Sequence, residues 1–345
     1  MTRSTHLLFT ISTLILTCCI GLIGSNGFNE SPSGKRSVQF IRAIYFRHQS
    51  REKNLETFLF GKGKEKEVKP SSVCRLSKDR LCVTDTVNGA VIVMDGNGKI
   101  KKIMTHVKGI KILSPVDACS DDQGNLYISD SGRQVVLKFN PQYKFQGVFI
   151  SPLLRRNQDK TRAVTPGDTD IAVRITGMVF RRGTLYGVDT PNHRVLGFNR
   201  QGELTFSLGK RGIGPGEFNF PTHITGDNQY IYITDAMNFR VQVFDHSGRF
   251  IRAIGTHGRG GGNFSKPKGI AVDQERHIFV ADVMFDNIQI FDFQGQFLYY
   301  FGGPGHRDRE FWMPNGIMVD DDGTIWVADT YNNRIQVFQL VENTQ

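Results

Sequence analysis

Cysteine and proline are scarce in this chain, whose 345 residues hold five of the one and 12 of the other. No Cys-x-x-Cys pair occurs, which removes the usual thiol-redox and zinc-ribbon signatures. There is no nucleophile elbow and no glycine-rich phosphate loop between a strand and a helix, so the common routes to acyl and phosphoryl transfer are unsignalled. The run "GKRGIGPGEF" has glycines enough, but its counterpart "THGRGGGNF" leads into a strand, and in both the glycines serve a turn. Cys18 and Cys19 fall in the N-terminal segment, leaving Cys74, Cys82 and Cys119. Cys74 and Cys82 flank a hairpin turn in "SSVCRLSKDRLCVTD", where either a disulfide or two packed thiols is compatible with the spacing.

What is present points to an all-β chain. Phenylalanine (26) and glycine (37) are abundant, hydrophobic residues make up 39% and charged residues 22%. Aromatics favour strands and glycines favour the tight turns between them. At the N-terminus, Arg3 precedes an uncharged, mostly apolar run from Leu7 to Gly24. Its length lies between a long signal-peptide core and a minimal spanning helix, so residues 1–27 read as an export signal or a membrane anchor. "LTCC" is a poor lipobox, because Cys18 stands before Cys19 where a small residue is wanted.

Six runs recur: "CVTDTVNGAV", "YISDSGRQVV", "YGVDTPNHRV", "YITDAMNFRV", "FVADVMFDNI" and "WVADTYNNRI". Their aspartates, Asp85, Asp130, Asp189, Asp235, Asp282 and Asp329, are spaced by 45, 59, 46, 47 and 47 residues. Each unit reads as four short strands joined by tight turns, and six such sheets bury both faces only by packing radially into a closed β-propeller. Units one to five end in an outer strand, of which "RFIRAIG" is one, whereas unit six stops at "RIQVFQLVENTQ". The pentapeptide "FIRAI" occurs at Phe40–Ile44 as well as Phe250–Ile254, and residues 38–45 are therefore expected to supply the missing strand. The expected organisation is a leader over 1–27, a linker over 28–37 and a propeller over 38–341.

This grammar, with "GPGEFNFPTHI", "GGGNFSKPKGI" and "RDREFWMPNGI" followed by "DAMNFRVQVFD" and "DTYNNRIQVFQ", resembles the NHL repeat family. The resemblance implies a six-bladed propeller, and with its leader the whole chain is similar to exported bacterial NHL proteins. Unit three departs most, with Ile175 where the others have proline. Amidating lyases that share the propeller hold zinc with histidines following the lead-in prolines of several blades. Here only His223 falls at such a position, while His193, His246, His257, His277 and His306 lie in outer turns or loops. The resemblance therefore brings no metal, cofactor or catalytic residue with it.

The loops leading into the innermost strands and those joining second to third strands share one face, where propellers bind ligands. The aspartates, Asn88, Asn192, Asn238 and Asn332, and Arg194, Arg240 and Arg334 recur with the blade period. They are expected to cap turns and to brace the neighbouring blade. A unique site should break the repeat. Two residues past each lead-in proline, or Ile175, stand Ser72, Asp117, Gly177, His223, Gly269 and Gly316. One residue past stand Ser71, Val116, Thr176, Thr222, Lys268 and Asn315. Asp117, His223, Lys268 and Asn315 are the candidate channel-mouth ligands.

Charge supplies a second candidate. The formal net charge is +10, and the lead-in loops hold much of it: Lys62, Lys64, Lys66 and Lys69; Lys108 and Lys111; Lys210 and Arg211; Arg259, Lys266 and Lys268; Arg307 and Arg309. The insertion at residues 151–174 adds Arg155, Arg156, Lys160 and Arg162. A positive rim attracts anionic partners at long range. The expected function is an exported, membrane-tethered, non-enzymatic recognition propeller for a protein or an anionic cell-envelope polymer. The alternatives are a lyase or hydrolase at the channel mouth and an RNA-binding NHL domain, the last opposed by the export leader.

Overall fold

Four short apolar runs per unit, each too short for a helix, give six four-stranded antiparallel sheets arranged as a propeller. The computed structural model describes residues 36–46, 67–151, 153, 154 and 171–342. The leader and most of the linker lie outside the described residues, as do Lys62, Lys64, Lys66, Arg155, Arg156, Lys160 and Arg162. From blade 1 to blade 6 the innermost strands are Pro70–Ser77, Pro115–Ser120, Ile175–Arg181, Pro221–Gly226, Pro267–Val272 and Pro314–Val319. They stand side by side around the channel, with blade 6 against blade 1.

The turns are written locally. In "DHSGRF" the Asp245 carboxylate accepts the N–H groups of Ser247 (2.9 Å) and Arg249 (3.0 Å), and Gly248 takes the left-handed φ of +89° that the hairpin requires. The second strands lack polar alternation because both of their faces are covered by neighbouring blades. Leu126–Asp130 and Ile278–Asp282 are buried at every position. Six apolar clusters fill the six blade interfaces; the one between blades 6 and 1 joins Trp326, Ile335 and Val337 to Leu81, Val83 and Ile92.

Blade 6 is completed from the other end of the chain. Arg36–Tyr45 pairs antiparallel with Arg334–Glu342, starting two residues earlier than expected. The two copies of "FIRAI" do the same work. Phe250 lies opposite Phe244, with ring centroids 5.7 Å apart, and Phe40 lies opposite Phe338, with centroids 5.6 Å apart. In both strands the register shifts just past the phenylalanine. Cys74 and Cys82 are register partners across the first hairpin of blade 1, and both are free thiols. A hydrogen bond with the Cys82 thiol, then burial, pushes the Cys74 thiol well up.

Close approach of the innermost strands explains three of the symmetry-breaking glycines. A Cβ on Gly269 would overlap the Asn315 carbonyl oxygen, and one on Gly316 would stand 2.6 Å from Ser72 Cα. Gly177 faces His223 Cα at 2.7 Å in the same way. Alanine at Gly269 or Gly316 is therefore expected to cost roughly 1–3 kcal/mol in urea unfolding. Gly303→Ala, where nothing lies within 4 Å, should stay within about 0.5 kcal/mol. Equal effects at the three sites would exclude strand crowding as the cause.

Candidate functional site

In an antiparallel meander the lead-in loops and the second-to-third turns fall at one end of every blade. Each repeat aspartate holds the lead-in loop at that end. Asp130 accepts the N–H groups of Leu113 (3.0 Å) and Ser114 (2.9 Å), Asp235 that of Asn219 (2.7 Å) and Asp329 that of Trp312 (2.8 Å). The expected turn cap is present at Asp85, which accepts from Val87 and Asn88. In blades 3, 4 and 6 a single 3-10 turn follows the aspartate without a side-chain cap, because the carboxylate is turned to the loop and to the repeat Asn and Arg. Asp329 and Arg334, both fully buried, meet at 2.7 Å. Arg240 and Arg334 do not brace the neighbouring blade. Their guanidinium groups donate to Gly214 and Glu217, and to Arg307 and Glu310, carbonyls of the loop leading into their own blade.

Two structural devices escaped the sequence reading. Gln242, Gln289 and Gln336 each donate to a lead-in carbonyl at 2.6–2.7 Å and accept an N–H from the same loop. Their signal was a glutamine recurring seven residues after the aspartate in units four to six. Threonines directly after the aspartate reach the next blade. Thr86 donates to the Pro115 carbonyl, Thr190 to that of Pro221, and Thr330, at 2.7 Å, to that of Pro70. The aspartate ring is thus scaffolding, and no cluster of three metal-ligating side chains occurs among the described residues.

Asp117 and His223 wall one cavity of about 370 Å³, whereas Lys268 and Asn315 are not among its walls. Asp117 is already engaged: Ser72 Oγ donates to it at 2.5 Å and the Met178 N–H at 2.7 Å, so it links blades 1, 2 and 3. Burial nevertheless raises its pKa to about 6, against the pull of those bonds. Burial, helped by the charge of Lys268, lowers His223 to about 3 and leaves it a neutral imidazole. The Lys268 ammonium is itself pushed down, by burial first and Lys266 second. Thr222 Oγ1, His223 Nδ1 and Asn315 Oδ1 are buried with no hydrogen-bond partner among the described residues.

The cavity shares Ser120, Phe180, Arg181, Val319, Asp320 and Asp321 with a larger recess of about 850 Å³. That recess lies among the first-to-second strand turns, at the end of the channel opposite the lead-in loops. Its turn aspartates are mostly structural: Tyr127 donates to Asp121, Tyr232 to Asp227 and Trp326 Nε1 to Asp320. On the loop face, Lys210, Arg211, Arg259, Lys266, Arg307 and Arg309 are all exposed, Lys210 lying 3.3 Å from Glu217.

Asp117 and His223 give stability opposite pH slopes. With Asp117 near 6 in the fold and 3.8 as a free side chain, the native state holds the extra proton between those values, so stability falls as pH rises through them. With His223 near 3 against 6.5, the unfolded state holds the extra proton, so stability falls as pH drops from 6.5. Urea unfolding across pH should show His223→Gln gaining on the native chain as pH falls, by on the order of 1 kcal/mol per pH unit. Asp117→Asn should gain on it as pH rises. Parallel profiles for both variants and the native chain would rule out buried titration at these sites.

The family described as "6-bladed beta-propeller" matches residues 168–239 and 226–288, and the NHL repeat matches residues 311–338. Among curated proteins none matches the chain significantly. Similar solved structures include a gluconolactonase from Xanthomonas campestris (12% identity, TM-score 0.60, 92% of this chain and 95% of that one). An auxiliary nutrient binding protein from Bacteroides thetaiotaomicron is similar at 13% identity and TM-score 0.60, over 80% of this chain and 70% of its own. The virginiamycin B lyase from Staphylococcus aureus is similar at 14% identity and TM-score 0.53, over 89% and 100% of the two chains. At such identities the likeness is one of fold alone. The repeat grammar, the family matches and the closed ring of four-stranded sheets identify the chain as a six-bladed β-propeller with NHL repeats.

Proposed function

We propose that this protein is a non-catalytic recognition propeller that binds an anionic protein or cell-envelope polymer through its loop face. In the same reading it works outside the cytoplasm, tethered by the apolar segment Leu7–Gly24. The observation that carries the reading is the exposure of Lys210, Arg211, Arg259, Lys266, Arg307 and Arg309 on loops held by buried aspartate, arginine and glutamine side chains. Fixed cations on a rigid face give fast, oriented encounter with an anionic partner at little ordering cost. Asp117 supports it from the other side, since its oxygens are occupied by Ser72 and Met178.

Poly-L-glutamate is the first probe. Glutamate at Lys210, Arg211, Arg307 and Arg309 together should weaken its binding at low salt by about tenfold or more and flatten the salt dependence. Reversal of four cations on the opposite end, Lys78, Lys99, Lys144 and Arg182, is the control for net charge and should change binding far less. Equal losses in the two variants would remove the loop face as the site.

One observation favours a second reading, a lyase or hydrolase working in the channel: Asp117 and His223 wall the same cavity. Protein purified without chelator or affinity metal tests it. A stoichiometric transition metal that disappears on His223→Asn would support this reading, and a metal content unchanged by the substitution would count against it.

A further inference from the structure

Large apolar side chains are exposed at the same end of the molecule as the cations. The position two residues after the repeat aspartate is Val87, Met237, Met284 and Tyr331 in blades 1, 4, 5 and 6, exposed by 71%, 48%, 59% and 43%. None of the four belongs to a blade-interface cluster. The lead-in loops add Ile213, 79% exposed, and Trp312. Ile110, Leu113 and Phe220 are exposed in lead-in loops as well, and the remaining exposed large hydrophobics among the described residues, Ile41, Tyr45, Val148 and Leu204, lie on outermost strands. Folding does not demand apolar side chains at solvent-facing turn tips, and covering them removes apolar surface from water. Apolar side chains gathered at one end of a molecule in this way mark interaction surfaces.

We propose that this ring of apolar tips docks a partner protein whose contact surface alternates carboxylates with apolar side chains. The inference rests on the loop face being the recognition surface, and it names the partner's chemistry. Ile213 follows Lys210 and Arg211 in one loop, and Trp312 follows Arg307 and Arg309 in another. Ile213 and Trp312 thus share their loops with cations, Lys210 being paired with Glu217, and an acidic partner meets those cations while covering the apolar side chains. The residue types fit, since tryptophan, tyrosine, methionine and arginine are enriched at protein interfaces. Trp312 and Tyr331 pack with ring centroids 5.3 Å apart, and the Lys69 ammonium sits 5.3 Å from the Tyr331 ring centroid, which holds that anchor in place before binding.

Two other occupants fit less well. A second copy meeting face to face would set like charges against each other. A lipid bilayer would require the loop face to point at the membrane, but the described chain begins at the opposite rim. Arg36, the first described residue, donates to Glu275 at 2.6 Å beside a first-to-second strand turn, at the far end of its strand from Tyr45.

The test uses the full chain in the organism it comes from, with a photo-crosslinking amino acid at Ile213, Met284 or Tyr331, and at Gln123 on the opposite end as control. The expected result is one shared polypeptide from the three loop positions and none from Gln123. Its crosslinked segment should carry Asp or Glu beside apolar residues, and Trp312→Ser should cut the yield from Met284 by about tenfold. Adducts with lipid alone, adducts with a second copy, or a yield no higher than at Gln123 would overturn the proposal. Vesicles of phosphatidylethanolamine and phosphatidylglycerol give the independent check: Ile213→Ser should leave their binding unchanged, and a loss would assign the ring to a membrane. Poly-L-glutamate binding that depends on the loop cations, without crosslinks, would sink the apolar docking and leave the recognition face standing. Failure of both experiments would remove both.

Discussion

Six blades can stay closed only if the last is held to the first, and here that seam uses both ends of the described chain. The strand Arg36–Tyr45 covers the open edge of Arg334–Glu342, and Thr330 donates across the seam to the Pro70 carbonyl, while Trp326, Ile335 and Val337 pack on blade 1. Without the early strand, a row of unpaired backbone groups and the apolar side chain of Phe338 would face water. Closure of this kind links residues about the whole length of the chain apart, so the stability of every blade depends on contacts made at its two ends.

The same closed ring makes the loop face rigid. Each lead-in loop is held by a buried carboxylate, and in blades 4 and 6 by arginine and glutamine as well. These bonds run between buried groups, and an unpaired partner would be costly there, so the loops have little freedom to collapse over their own apolar tips. Rigidity of the base is what leaves Ile213, Met284 and Trp312 in solvent. The loop face and the interior polar network are in this sense one construction.

The channel is governed by packing more than by chemistry. Where innermost strands approach most closely, glycine stands at positions 177, 269 and 316, and the side chains at the equivalent positions of blades 1 and 2 bond to each other, Ser72 to Asp117. Only in blade 4 does the repeat place a large polar group, His223, whose environment favours its neutral form. Breaking the repeat was a sound guide to unusual residues. It did not distinguish a ligand site from a contact between strands, since both require departures from symmetry.

Much of this could be read from the amino-acid order. Alternating apolar residues, the spacing of the six aspartates and the duplicated "FIRAI" determined the number of blades, their strand order and the way the ring closes, because each is written in local periodicity and pairing rules. Legible too was the placing of the lead-in loops and the second-to-third turns at one end, which follows from the alternation of turns in any meander. Tertiary structure alone decided the rest. It assigned the arginines to their own lead-in loops, engaged Asp117 between blades, and brought Asp117 and His223 into the wall of one cavity. It also left the turn residues Val87, Met284 and Tyr331 uncovered. Burial and hydrogen-bond partners depend on which distant strands become neighbours, and local sequence carries no record of that distance.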